Sequence, residues 1–406
     1  MDPITHGIAG SLLGKSFFAK RKDQVAIFAA TLGAVFPDVD TVADFVSRDP
    51  LAVVKYHRAI THSFFGLPFF AAGLAWLTQR VARKFGYETP SWLMLTLIYG
   101  VGIASHILLD GTTSFGTRMW TPFSNQRVAW DLVFIIDLIF TSILLVPQVM
   151  AWVYRNRDRG KSRALQAWTY FTLGAVGGWG IARVAGFPFH AWIIVVASVA
   201  FAAIFFLPGM FGDGFGFGVT REVWCQAGLG VALVYIFACA VMHHVAMQRV
   251  VSFAQANNIP VVRIGALPLA PSMLDWGVGI RTPDGVYRSQ FDLRHVDSAQ
   301  VAFTPDSSPD LYINRALQLP SVQLFWGFSR FPSIRSRLGD GVHFVDIGEN
   351  RFMNQLRGPQ PFTYRVVFGP DDRIIEEGML ADGMLLRRME PESRSDAASE
   401  KSGPKP

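Results

Sequence analysis

Charge is what this chain has little of. Only 17% of its 406 residues are Asp, Glu, Lys or Arg, against about 25% in an average soluble domain. Half of the residues are hydrophobic, and the mean hydropathy is +0.28. Such a composition excludes a disordered chain and an ordinary cytosolic enzyme, and it points to a membrane. Cysteine is scarcer still, with Cys225 and Cys239 alone. The pair forms neither a metal spacing nor a disulfide framework and reads as small core residues. The formal net charge is +6, yet no compact Lys/Arg run is interleaved with aromatics. No nucleic-acid partner is expected, and the excess reads as basic loops of a membrane protein. The opening Met1-Asp2-Pro3 lacks a basic n-region, so no secretory signal is expected. A Gly-x-Ser-x-Gly elbow and a phosphate-binding loop are both absent. The glycine-rich stretch 212–218 therefore reads as a plain loop.

What is present is apolar length. Six stretches approach or exceed the roughly 20 residues that a bilayer requires: 60–79, 91–109, 132–153, 166–182, 188–208 and 223–247. Two shorter ones, 4–18 and 25–36, precede them as short N-terminal hydrophobic helices. One set of loops collects Lys20, Arg21, Lys22, Arg80, Arg83, Lys84, Arg155, Arg157, Arg159, Lys161 and Arg163. The opposite set has only Arg48, Lys55, Arg58, Arg118, Arg127 and Arg183. The positive-inside rule assigns the richer set to the cytoplasm. Beyond Gln248 the spans stop and turns appear, such as Thr282-Pro283-Asp284-Gly285 and Gly369-Pro370-Asp371-Asp372. Apolar residues alternate at Phe362, Tyr364, Val366 and Phe368, and at Val322, Leu324, Trp326 and Phe328, which predicts strands.

The expected fold is a polytopic α-helical membrane protein with six full spans, two short N-terminal helices and a C-terminal β-rich soluble domain. Four regions follow: a membrane domain over 1–150, further transmembrane helices over 151–247, the β-rich domain over 248–388, and a disordered tail over 389–406. The expected location is the cell inner membrane, with the β-rich domain on the outer, periplasmic face.

The chemistry-bearing side chains gather in the first 140 positions. His6 lies in Thr5-His6-Gly7, and Asp38 and Asp40 in Phe36-Pro37-Asp38-Val39-Asp40. His57 and His62 bracket Arg58-Ala59-Ile60-Thr61, and His106 precedes Asp110 by four residues, with Asp131 and Asp137 beyond. Taken singly, each reads as a core histidine, a turn carboxylate or a helix cap. Together they converge. His106 and Asp110, at i and i+4, share a helix face. Asp137, inside the 132–153 stretch, would cost at least about 2.5 kcal/mol at a span centre and so needs a partner. The charge sorting of the loops brings every one of these groups to the outer end.

Imidazole plus carboxylate is a ligand set for zinc, manganese or iron(II). Four His and up to four Asp exceed one tetrahedral site, so one or two divalent ions are expected, with zinc ahead of manganese. The expected ligands are His6, Asp38, Asp40, His57, His62, His106, Asp110 and Asp137. Asp40 and His62 are also expected to serve catalysis, with Arg58 stabilising an anionic transition state.

At these residues the chain resembles the predicted membrane-bound metal-dependent hydrolases of bacteria and archaea, also described as LexA-regulated inner-membrane hydrolases. The matching motifs begin with Thr5-His6, Pro37-Asp38-Val39-Asp40, His57-Arg58-x-x-Thr61-His62-Ser63 and Ser105-His106-x-x-x-Asp110. Thr113-Ser114-Phe115-Gly116-Thr117, Pro122-Phe123-Ser124 and Ile135-Ile136-Asp137 complete them. Leu138 stands where the family usually carries proline. The resemblance covers about residues 1–150 and implies metal-dependent hydrolysis without naming a substrate.

The expected activity is therefore hydrolysis by metal-activated water of an ester or phosphoester, in a small-molecule or lipid-like substrate at the membrane interface. Two other readings compete. Intramembrane His and Asp also mark ion- or proton-coupled transporters, although the candidates sit at one end and no paired broken helices suggest a midplane site. A non-catalytic scaffold stapled by a structural metal is the third.

Overall fold

The computed structural model describes residues 1–18, 24–47, 49–184, 190–210, 219–270, 272–352, 362–381 and 384–385. The basic cluster at Lys20, Arg21 and Lys22, Arg48, the 212–218 loop and the tail over 389–406 lie outside the described residues. In chain order the helices are α1 (Pro3–Leu13), α2 (Gln24–Val35), α3 (Thr41–Val46), α4 (Ala52–Lys55), α5 (Gly66–Lys84), α6 (Trp92–Gly111), α7 (Leu138–Val153), α8 (Gly160–Val184), α9 (Trp192–Met210) and α10 (Arg221–Ala256). The strands β1 (Arg263–Pro268), β2 (Asp275–Thr282), β3 (Gly285–Asp292) and β4 (His295–Pro305) follow. Next come α11 (Leu311–Leu317), α12 (Pro320–Phe328), β5 (Pro332–Gly339), β6 (Val342–Glu349), β7 (Phe362–Phe368), β8 (Ile374–Ala381) and β9 (Met384–Leu385).

These elements form two compact units. One comprises Met1–Pro37, Phe64–Leu109 and Ile136–Phe237; the other holds Asp38–Ser63, Asp110–Ile135 and the described residues from Ala238 onward.

In the first unit, helices approach through small residues. A Cβ on Gly33 would fall 2.8 Å from the Tyr99 carbonyl oxygen, and one on Gly102 would fall 2.6 Å from that of Ala30. Such contacts are the usual way helix backbones come close in a membrane. Polar glue adds to them: Gln148 accepts from Ser11 and Lys15 and donates to the Ile8 carbonyl.

Among the described residues, four helical segments are long and apolar enough to cross a bilayer: Gln24–Ala43, Trp92–Gly111, Trp192–Met210 and Arg221–Ala256. A fifth arises if Ala52–His62 and Gly66–Lys84, bent by 72°, count as one. The expected count of six full spans is not confirmed. The 132–153 stretch supplies only the 16-residue α7, because the chain stays irregular up to Asp137. Asp137 is thus not buried within a helix: it is the N-cap of α7, accepting from the backbone N–H groups of Ile139 and Phe140. The hydroxyl of Tyr235 donates to its other oxygen at 2.7 Å.

The second unit contains two antiparallel sheets, ordered β1-β2-β3-β4 and β5-β6-β7-β8-β9. The alternation over 362–368 does form a strand, β7, with Tyr364, Val366 and Phe368 buried. The alternation over 322–328 does not, and the strand expected there is corrected to helix α12. Pro320 opens that helix at its first turn, where proline is favoured. Its buried residues, Val322, Phe325 and Phe328, recur every three positions, so the helical face overrides the period of two. They share a core with Val345 and Ile347 of β6 and with Leu51, Val54 and Phe115. The segments 38–63 and 110–135 therefore pack into the same core as the second sheet.

Candidate metal centre

Three short devices build the centre. The first is the turn after α2: Pro37 breaks that helix, and a 3-10 turn over Phe36–Asp40 presents Asp38 and Asp40. The second is the tight turn at Arg58, whose φ of 57° is left-handed, a conformation that costs roughly 1–2 kcal/mol in a non-glycine residue. Asp40 offsets this by accepting from the Arg58 backbone N–H at 2.8 Å and the Thr61 hydroxyl at 3.0 Å. A 3-10 turn over Ile60–His62 then presents His62. The third is the end of α6, where Thr113 bonds the Asp110 carbonyl oxygen through both its N–H and its hydroxyl.

His62 sits at the focus and is wholly buried. Its Nε2 lies 3.3 Å from Asp110 Oδ2 and 3.8 Å from Asp38 Oδ1, while its Nδ1 lies 3.1 Å from Asp40 Oδ2. Helix periodicity adds His106, one turn before Asp110 on the continuous α6. One donor atom from each of Asp38, His62, His106 and Asp110 lies within 4.8 Å of all the others. His106 Nδ1 contacts the Ala34 carbonyl oxygen at 2.6 Å. A carbonyl only accepts, so Nδ1 carries the hydrogen and Nε2 is left as the lone-pair donor. Asp40 Oδ2, likewise only an acceptor, lies 3.1 Å from His62 Nδ1 and favours the same tautomer there.

This donor set fits a divalent cation. Atoms arranged tetrahedrally about 2.0–2.1 Å from a shared ion stand about 3.3–3.4 Å apart, and the separations around His62 Nε2 are 3.3 and 3.8 Å. The Asp38, Asp40 and Asp110 carboxylates surround His62, and the Arg58 guanidinium contacts Asp110 at 2.9 Å. Histidines oriented by a carboxylate or carbonyl through the second nitrogen are the usual companions of bound metal.

The remaining expected residues are placed nearby in other roles. Asp40 is a bridge: one oxygen accepts from His57 at 3.0 Å and the other faces His62. His57 is the more accessible imidazole, and its ring meets that of His62 edge-on at 6.0 Å. His6 stacks on His106, with ring centroids 3.6 Å apart. Arg58 is buried and donates to the Thr113 hydroxyl. Asp137 caps α7, as described above. Among the described residues the four-donor group contains none of His6, Asp40, His57 and Asp137.

Sequence reasoning named Asp131 but missed Arg330, Glu349 and Arg351, which hold the 110–135 segment. Asp131, with φ of 55°, takes a two-pronged contact from Arg330 at 2.8 Å. Buried Arg351 donates to the carbonyl oxygens of Ser114, Phe115 and Phe328 and pairs with Glu349. These partners are some 200 residues apart in sequence, so no local pattern reveals them.

Comparison with known proteins agrees with a membrane assignment. Residues 1–186 match the family described as YdjM inner membrane protein. YfhP of Bacillus subtilis (strain 168), described as uncharacterized, is 29% identical over 155 residues. That alignment covers 36% of this chain and 44% of YfhP, so the chain spans less than half the length of this relative. No solved structure matches. The family match and the apolar helices support an inner-membrane location, and the donor cluster is consistent with metal dependence.

Proposed function

We propose that the protein is a metal-dependent hydrolase that cleaves an ester or phosphoester, in a small or lipid-like molecule, at the membrane interface. The observation that supports this most is the group of two carboxylates and two imidazoles, buried except for the partly exposed Asp38, with each imidazole oriented through its Nδ1. Asp38, His62, His106 and Asp110 would hold the ion, with zinc favoured by the nitrogen and oxygen donors. When bound, such an ion polarises a water for attack and steadies charge on the displaced oxygen.

The chain's own residues supply the rest. Asp40 accepts from His57 Nδ1 and so leaves His57 Nε2 to take a proton from the attacking water, a general-base role. The same carboxylate keeps His62 from rotating. Arg58, beside Asp110, offers a guanidinium to an anionic oxygen as charge develops. The site and the β-rich region face the periplasm in this reading, from the Lys/Arg asymmetry of the loops.

The test is substrate loss. Purified, zinc-loaded protein is incubated with a total membrane lipid extract and with chromogenic phosphodiesters, and products are followed by mass spectrometry and absorbance. Wild type should release product that chelator, Asp110→Asn and His57→Ala each suppress. Equal rates for wild type and Asp110→Asn would reject hydrolysis at this centre.

A further inference from the structure

Arginines gather in a cleft within the second unit. Arg118, Arg127, Arg263, Arg330 and Arg351 line a cavity of about 740 Å3, and no Asp or Glu is among its described lining residues. That volume is in the range of small-molecule sites. Two of the five have carboxylate partners just outside the lining: Arg330 with Asp131 and Arg351 with Glu349. Among the described residues the other three have no such ion pair, although the Asp40 carboxylate attracts Arg118 and Arg127 at longer range. Arg127 donates to the carbonyl oxygens of Val54, His57 and Gly116, and Arg118 to that of Lys55. Arg263 begins β1 and is exposed. Burial, and then the guanidiniums of Arg118, Arg351 and Arg58, push the pKa of Arg127 down to about 9.

Gathering like charges in a half-buried cleft is destabilising unless an anion completes it. Guanidinium forks match the oxygens of a phosphate, and do so better than a lone ammonium. The loop that carries Arg118 and Arg127 also exposes Trp120, Phe123 and Trp130. Aromatics of this kind mark the headgroup level of a membrane. The cleft also adjoins the metal centre, because His57 gives its carbonyl to Arg127 and its ring to Asp40.

We propose that this arginine cleft binds the phosphate group of an anionic phospho-compound, either a lipid headgroup or a soluble phosphoester. Binding here does not depend on metal or on turnover, so the test uses metal-stripped protein, and failure of the hydrolase reading leaves its outcome unaffected.

Full-length protein in neutral detergent, treated with chelator, is titrated calorimetrically with pyrophosphate, dihexanoyl phosphatidic acid and dihexanoyl phosphatidylcholine. Wild type should bind at least one of the first two and bind phosphatidylcholine far more weakly. Arg263→Glu, at an exposed position, and Arg118→Gln should each weaken binding by about tenfold or more, while Arg373→Glu, outside the cleft, should not. Tighter binding of phosphatidic acid than of pyrophosphate assigns the phosphate to a lipid; the reverse assigns it to a soluble ester. Absence of binding to both anions, or equal affinity in wild type and Arg263→Glu, would overturn the proposal.

Discussion

His106 donates its Nδ1 hydrogen to the carbonyl oxygen of Ala34 across 2.6 Å. The bond depends on a close approach one turn earlier, where a Cβ on Gly102 would meet Ala30 O at 2.6 Å and Ala34 N at 2.9 Å. Both obstacles are backbone, so neither can turn aside. Gly102→Ala should push α6 from α2 and release the imidazole without altering any metal donor. Loss of an orienting partner typically costs 10–100-fold in metal affinity. Competition titration with a zinc chelator measures it, and an affinity equal to wild type would separate the glycine contact from the site.

Asp137 stabilises α7 in this structure. Asp137→Ala should lose about 1 kcal/mol from the missing cap and more from the stranded Tyr235 hydroxyl, while metal per folded protein stays at the wild-type level. Thermal unfolding beside elemental analysis tests both halves. A fall in bound metal with unchanged stability would instead make Asp137 part of the centre.

Arg351 holds the Ser114–Phe115 backbone from the β-rich sequence and faces Glu349. Arg351→Met should destabilise the protein by about 3–5 kcal/mol, because it leaves a buried carboxylate unpaired. Adding Glu349→Gln should recover part of that loss. Additive effects in this double-mutant cycle would show that the two side chains are not coupled.

Gln300 is exposed, while Cys225 and Cys239 are buried. Gln300→Cys should therefore react with a membrane-impermeant maleimide in intact spheroplasts if the β-rich region faces the periplasm. Labelling only after the membrane is broken would place it on the cytoplasmic side.

Short-range chemistry was the legible part of this protein. The i, i+4 pair of His106 and Asp110 and the Pro37-Asp38-Val39-Asp40 turn carry their geometry in local spacing. The strand at 362–368 does so too, with its period of two. Asp137 was misread because apolar residues on both sides of it look like one span, and only the cap geometry shows that the helix starts at Leu138. The 322–328 segment satisfies periods of two and of three at once, and packing of Val322, Phe325 and Phe328 decided between them. The stacking of His6 on His106, and the contacts of Arg330 with Asp131 and of Arg351 with Ser114, join distant positions. Only the tertiary fold brings them together.

Asp38, His62, His106 and Asp110 should together hold a divalent cation. Elemental analysis of detergent-purified protein after zinc reconstitution and desalting tests this, with His62→Ala and Asp110→Asn beside the wild type. Wild type should retain at least one zinc per chain, and each variant should lose most of it while remaining folded by circular dichroism. Wild-type protein without transition metal, or variants that retain as much as wild type, would contradict the account.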